Sequence, residues 1–142
     1  MRTNFGCSGI TEFGATSESL VREIELADGT SYAFTYEPTP GYSGDVTGRI
    51  ASVTLPTGGE ITYSYSGGSN GINCADGSTA TLTRTTPDGA WTYARGVSAG
   101  TTTVTDPEGN KTVYNFQGIY PTEEQIYEGS GTLIPDLSVV QL

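Results

Sequence analysis

Sixteen Asp and Glu side chains and no His set the chemistry open to this 142-residue chain. Without an imidazole, Ser-His-Asp and Cys-His mechanisms lack their general base, so hydrolysis would have to run on carboxylates or a metal. The acids to weigh are Asp28, Asp76, Asp88, Asp106, Glu108, Glu123, Glu124 and Glu128. A catalytic pair drawn from Asp106, Glu108, Glu123 and Glu124 would supply the acid and the base or nucleophile of glycoside hydrolysis. Asp28, Asp88, Asp106 and Glu108 lie in or beside Gly-containing turns, where Asp in particular is selected for its bond to the local backbone, and that structural use competes with catalysis. Calcium is the cofactor whose ligand chemistry fits, with Asp76, Asp106 and Glu108 offering hard oxygens, although no EF-hand or nonapeptide calcium pattern is present.

Other side chains suggest recognition. Tyr42 and Tyr120 stand in Gly/Pro contexts outside the strand pattern and are candidate exposed binding aromatics, with Trp91 a further one for stacking on a sugar. Arg49, Arg84 and Arg95 fall within strand patterns where a polar residue is expected, each within reach of a neighbouring carboxylate. Cys7 and Cys74 are the only cysteines, too few for a structural zinc site in a chain without His. They either bridge or stay as buried thiols, and the expectation is a bridge, which places the protein outside the cell or at its surface.

The formal net charge is −10, and six Lys and Arg along the whole chain cannot build the basic patch that a phosphate backbone requires, so no nucleic-acid partner is expected. No apolar run is long enough to span a bilayer as a helix. The first residues lack the apolar core of a signal peptide, and the expectation is a trimmed signal or a piece of a longer exported protein.

The elements that must position these groups are strands. Tyr32, Phe34 and Tyr36 recur at period two, as do Ile61, Tyr63 and Tyr65, then Trp91 and Tyr93, then Tyr114 and Phe116. This alternation sends the aromatics of each strand to one face of a half-buried antiparallel sheet. Each such strand follows a turn: Ala27-Asp28-Gly29, Pro56-Thr57-Gly58-Gly59, Pro87-Asp88-Gly89 or Pro107-Glu108-Gly109. The 29-residue offset between the first two units and the 20-residue offset between Gly89 and Gly109 imply a repeat of roughly 20 residues, with loops inserted into the first two copies.

The segment Gly48-Arg49-Ile50-Ala51-Ser52-Val53-Thr54-Leu55-Pro56-Thr57-Gly58, followed by Ile61-Thr62-Tyr63-Ser64-Tyr65, resembles the YD repeat of bacterial RHS-type proteins. Tyr36-Glu37 stands where that repeat has Tyr-Asp, and Gly48-Arg49 where it has Gly-Arg. The later turns resemble degenerate copies, so the likeness covers roughly residues 20–128. It implies a ribbon of β-hairpins, which in long RHS proteins coils into a shell around a cargo polypeptide; three or four copies cannot close one.

The expected architecture is all-β, an antiparallel hairpin-repeat sheet of about eight to ten short strands, closed partly into a barrel or folded into a sandwich. An irregular, loosely attached lead-in (1–18) precedes a YD-repeat-like β domain (19–142), with a possible edge strand near Val139-Val140. The expected function is a non-catalytic structural or interaction module that meets a protein partner, or itself, through sheet edges. A small secreted hydrolase of esters, lactones or glycosides and a carbohydrate-binding module are the alternatives.

Overall fold

The structure is a computed structural model and describes residues 1–74, 77–96, 100–129 and 131–133. Ten strands follow one another: β1 (Glu23–Glu25), β2 (Ser31–Pro38), β3 (Val46–Thr54), β4 (Glu60–Gly67), β5 (Ala80–Thr86), β6 (Gly89–Gly96), β7 (Thr101–Thr105), β8 (Lys111–Gln117), β9 (Tyr120–Glu128) and β10 (Thr132–Leu133). Each pairs antiparallel with its sequence neighbours, so spatial order equals chain order. Among the described residues no pairing joins β1 to β10, and there is no second sheet. The closure expected from the sequence is therefore replaced by a single open meander, in which β10 is formed by Thr132–Leu133 and Val139-Val140 lie outside the described residues.

The turns show why these residues fold this way. At Leu26–Thr30, Leu55–Gly59 and Asp106–Asn110 the first residue's N–H donates to the fifth residue's carbonyl, and the fourth residue's N–H donates back to the first carbonyl. The fourth residue is glycine each time, Gly29, Gly58 and Gly109, at φ of 81°, 84° and 88°. A side chain would strain that left-handed conformation, and glycine adopts it freely. The turn before β6 is tighter, running through Pro87-Asp88 between the paired Thr86 and Gly89. A Cβ on Gly89 would meet Pro107 Cβ at 2.5 Å, so the ring of the next turn occupies the space a side chain there would need. All four turns lie at one end of the sheet, and the β2–β3, β4–β5 and β8–β9 connections lie at the other.

Register sorts the side chains into two unlike faces. One rung carries Tyr65, Leu82, Tyr93, Val104, Thr112 and Ile126 across six strands, and the next carries Tyr63, Arg84 and Trp91. The opposite face carries Ser64, Thr83, Thr92 and Thr105 on one rung and Thr35, Ser52, Thr62 and Thr85 on another. The aromatic rings cover one another sideways and remain half-buried; no side chain is completely buried, and the buried apolar residues are Cys7, Cys74 and Ala80 alone among the described ones. The stripe read from the sequence is thus a face rather than a closed core.

The lead-in is not loose, as the sequence suggested. Residues 1–16 fold back on themselves through Thr3 N–H to Phe13 carbonyl and Thr16 N–H to Met1 carbonyl, then pin to the sheet through Arg2 N–H to Val46 carbonyl. Thr39 Oγ1 donates to the Arg2 carbonyl at 2.6 Å, and Asn4 Nδ2 donates to the Pro40 carbonyl at 2.9 Å. Cys7 is disulfide-bonded to Cys74 in the β4–β5 connection, 67 positions away. By loop-closure entropy a bridge of that span removes about 4 kcal/mol of unfolded-state freedom. Urea unfolding of the Cys7→Ser/Cys74→Ser double variant is expected to show a loss of that order, with the midpoint falling and the slope rising as the unfolded chain expands. An unchanged midpoint would mean that the bridge carries no stability.

Candidate functional site

The register between β3 and β4 covers only Ser52–Thr54 against Thr62–Glu60. Beyond those three rungs no further pairing joins the two strands, and Arg49 reaches across from β3. Its Nε and Nη2 donate to Glu37 Oε2 and Oε1, both at 2.7 Å, and Nη2 also reaches the Asn70 carbonyl at 2.8 Å. Its guanidinium lies over the Tyr65 ring at 4.0 Å on β4 and over the Phe5 ring at 4.6 Å in the lead-in. Thr47 Oγ1 donates to Glu37, and Tyr65 Oη donates to the Ile50 carbonyl at 3.0 Å. Arg49 therefore ties β2, β3, β4 and the lead-in together, with side-chain exposures of 17% for itself and 18% for Glu37. Burial raises the Tyr65 phenol above its ordinary pKa despite the opposing pull of the Arg49 charge, so it stays a neutral donor.

A second arginine is placed alike but left unmatched. Arg84 on β5 lies over the Trp91 ring at 4.6 Å, yet its Nε is buried with no acceptor, and no carboxylate of a described residue lies within ion-pair distance. Arg95, farther along on the same face and paired in register with Ala80, is exposed and likewise without an ion pair among the described residues. Among the described residues, no carboxylate takes the place expected for it beside Arg84 or Arg95. Both point to the aromatic face, because Arg84 shares the parity of Leu82, and Arg95 that of Tyr93. Two open cavities border this face, one of about 450 Å³ between Leu82, Tyr93, Arg95 and the Gly71–Asn73 segment, the other of about 550 Å³ over Trp91, Val104, Thr112 and Ile126.

The candidate acids do not converge. Asp106 accepts from Asn110 N at 2.8 Å and from Asn110 Nδ2 at 2.9 Å, closing its own turn, and these bonds hold its carboxyl below the usual pKa. Asp28 is held low in the same way by Thr30. Glu108 is exposed at the tip of the Asp106 turn, and Asp88 is exposed in the turn before β6. Glu123 accepts from Asn115 and Gln125, whereas Glu124, opposite Tyr114 in the register, points to the other face; burial first, and the Glu124 charge after it, lift the Tyr114 phenol above its ordinary pKa. Among the described residues no three Asp, Glu or Cys side chains gather as a metal site would need; Asp76 lies outside the described residues. Tyr42, 42% exposed, has the Arg2 guanidinium 4.0 Å over its ring, while Arg2 pairs with Asp45. Tyr120, 70% exposed, stands beside Ile119, 83% exposed, at the β8–β9 hairpin.

What the arrangement offers is therefore contact chemistry: half-buried rings, two guanidiniums without an ion pair among the described residues and two open cavities on one face. Sequence reasoning missed the unmatched state of Arg84 and the roles of Glu37, Phe5 and Asn70. The parity of Leu82 and Arg84 was the only visible signal. Comparison with family models, curated proteins and solved structures returns no match.

Two outcomes test the electrostatics. Glu37→Gln and Arg49→Gln are each expected to cost about 2–3 kcal/mol, and a double-mutant cycle to return most of it as coupling, because either change strands a largely buried partner; additive losses would remove Arg49 from its organising role. For Asp28 and Asp106, a folded pKa below the unfolded value means that their stabilisation is present at neutral pH and lost as pH falls through the folded value. Thermal stability is expected to hold down to about pH 5 and to decline below about pH 4, less steeply in Asp106→Asn.

Proposed function

We propose that the chain is a non-catalytic structural or interaction module of an exported bacterial protein of the RHS type. The observation that carries this reading is the open meander itself: a repeated turn unit propagates strands in sequence order and leaves β1 and β10 as sheet edges. Unpaired edges are templates for further strands, from another copy or from a longer protein. The Glu37–Arg49 pair supports the RHS resemblance, since it joins the two dipeptides, Tyr36-Glu37 and Gly48-Arg49, that stand for the paired motif of the repeat. The Cys7–Cys74 bridge supports an oxidising, extracellular or cell-surface location. Asp106 and Glu123 spend their oxygens on neighbouring amides, which favours a structural use of those acids over catalysis.

Sedimentation velocity decides between an edge-joining module and a self-sufficient domain. A species heavier than the 14.9 kDa monomer is expected, diminished by Ile24→Lys, which puts a charge on the exposed β1 edge. A monomer at all concentrations argues against the edges as contacts. Turnover of an ester, lactone or glycoside that is lost in Asp106→Asn, Glu123→Gln or Glu124→Gln with folding intact would replace the reading with a hydrolase.

A further inference from the structure

The aromatic face is covered over only part of its width. On the β4 side the lead-in lays Phe5 on Arg49 and Arg49 on Tyr65, and the Cys7–Cys74 bridge fastens it there. The β4–β5 connection lies on the same ring, so closely that a Cβ on Gly71 would stand 2.6 Å from Tyr65 Cβ, and it reaches as far as the cavity beside Leu82 and Tyr93. Over the rest of β5–β9 no described strand lies against the face. A sheet face that carries Leu82, Trp91, Tyr93, Val104 and Ile126 is stabilised by a second layer, and here the chain supplies one to its N-terminal half alone.

The register shows which layer fits. β5–β9 are five strands with β7 at their middle, and Leu82 on β5 is level with Ile126 on β9, as Ala80 is with Glu124. At the turn end Arg84 and Trp91 are level with Asp106, Asn110 and Glu128, since Asp106 N–H bonds to the Asn110 carbonyl one step beyond the paired Thr105 and Lys111. The charges on this part of the face are balanced but separated, with Arg84 and Arg95 on β5 and β6 and Glu124 and Glu128 on β9. A two-fold axis running along β7 exchanges these flanks. It sets Leu82 against Ile126 of a second copy, Arg84 level with Glu128, and Arg95 over Tyr114 and beside Glu124, while Val104 meets its own counterpart on the axis. Asp106 also approaches its counterpart, at the rim, where each carboxylate is already held by Asn110. The covered Arg84 Nε needs no new acceptor, because the flanks meet as opposite fields that set orientation, and buried apolar area supplies the attraction.

The dimensions agree. Five strands about 4.8 Å apart and three rungs about 7 Å apart make a footprint of about 24 by 20 Å, so two such faces cover on the order of 1,000 Å², the lower bound of a specific interface. Packed sheets cross at about 30°, which a two-fold inclined by about 15° to β7 produces. The Tyr114 ring of the second copy then enters the cavity of about 450 Å³ beside Arg95.

We infer that the β5–β9 part of the aromatic face is the contact surface of a symmetric face-to-face dimer, in which a second copy of the chain supplies the missing layer. This goes beyond the edge contacts, which extend the sheet in its plane and leave the face open.

Sedimentation velocity of the Ile24→Lys variant, in which the β1 edge is blocked, isolates the face. A dimer of the 14.9 kDa chain is expected there, with its dissociation constant raised at least tenfold by Arg95→Glu and by Glu124→Arg. An equal mixture of those two variants should restore it, because each copy then offers the charge the other lacks. Val104→Lys sets two like charges face to face on the axis; it should abolish the dimer and serves if either charge reversal folds poorly. A monomer in the Ile24→Lys background, indifference to the three face variants, or a mixture that stays monomeric would overturn the inference. A monomer whose Trp91 emission responds saturably to maltohexaose would overturn it in favour of a glycan. Association abolished by Ile24→Lys alone removes the face and leaves the edges; a dimer indifferent to Ile24→Lys removes the edges and leaves the face; a strict monomer of the unsubstituted chain removes both.

Discussion

Ten strands in one layer have no opposing sheet to press against, so each must be held by its neighbours along the plane and by whatever crosses its open ends. Where β3 and β4 stop pairing, that lateral support is interrupted, and the Arg49 guanidinium replaces it. Its bonds to Glu37 and Asn70 and its contacts with Tyr65 and Phe5 act at once on two strands, the connection after β4 and the lead-in. A planar fork stacked between rings is suited to this task, since it bonds edgewise and packs facewise in a site that is neither dry nor fully wet. The disulfide fixes the same lead-in at Cys7, two residues from Phe5, and so holds the ring over the guanidinium.

The aromatic face follows from the same thinness. Rings wide enough to touch across a rung shield one another, which explains why Tyr63, Tyr65, Trp91 and Tyr93 are half-buried without any second layer. Such a face tolerates arginine better than a closed core does, because a guanidinium over a ring keeps one edge toward water. Arg49 and Arg84 are two outcomes of that tolerance, one completed within the chain and one not.

Much of this is legible in the residues themselves. Period-two aromatics and Gly in Asp- or Pro-containing turns are local signals, and the strands and turns fall where those residues put them. Closure was not legible, since alternation along a strand is the same in a meander, a barrel and a sandwich; only the pairing of the first and last strands distinguishes them, and that is a long-range fact. The lead-in has no period, so nothing in residues 1–18 announces Glu12 capping the N–H groups of Phe5 and Gly6 or Asn4 bonding to Pro40. Candidate acids such as Asp106 were identifiable as turn residues, whereas the missing acceptor of Arg84 depends on what β4, β6 and β7 bring within a few ångströms.

Strict neighbour order also bears on how the chain acquires its structure. Each ladder forms between segments separated by at most the Gly68–Thr79 connection, so every pairing is local in sequence and loop-closure entropy is small at each step. A chain of this kind can start at any hairpin and grow outward, its cooperativity carried from strand to strand as in other repeat architectures. The bond from Arg2 to Val46, the contact of Phe5 with Arg49 and the thiol pairing across 67 residues are the exceptions, and they join segments far apart in the chain. Once oxidised, that pair ties the lead-in to the β4–β5 connection and encloses β1–β4 in one covalent loop, whereas β5–β10 lie outside it, so a row of hairpins acquires a fastened N-terminal half and an unfastened C-terminal half.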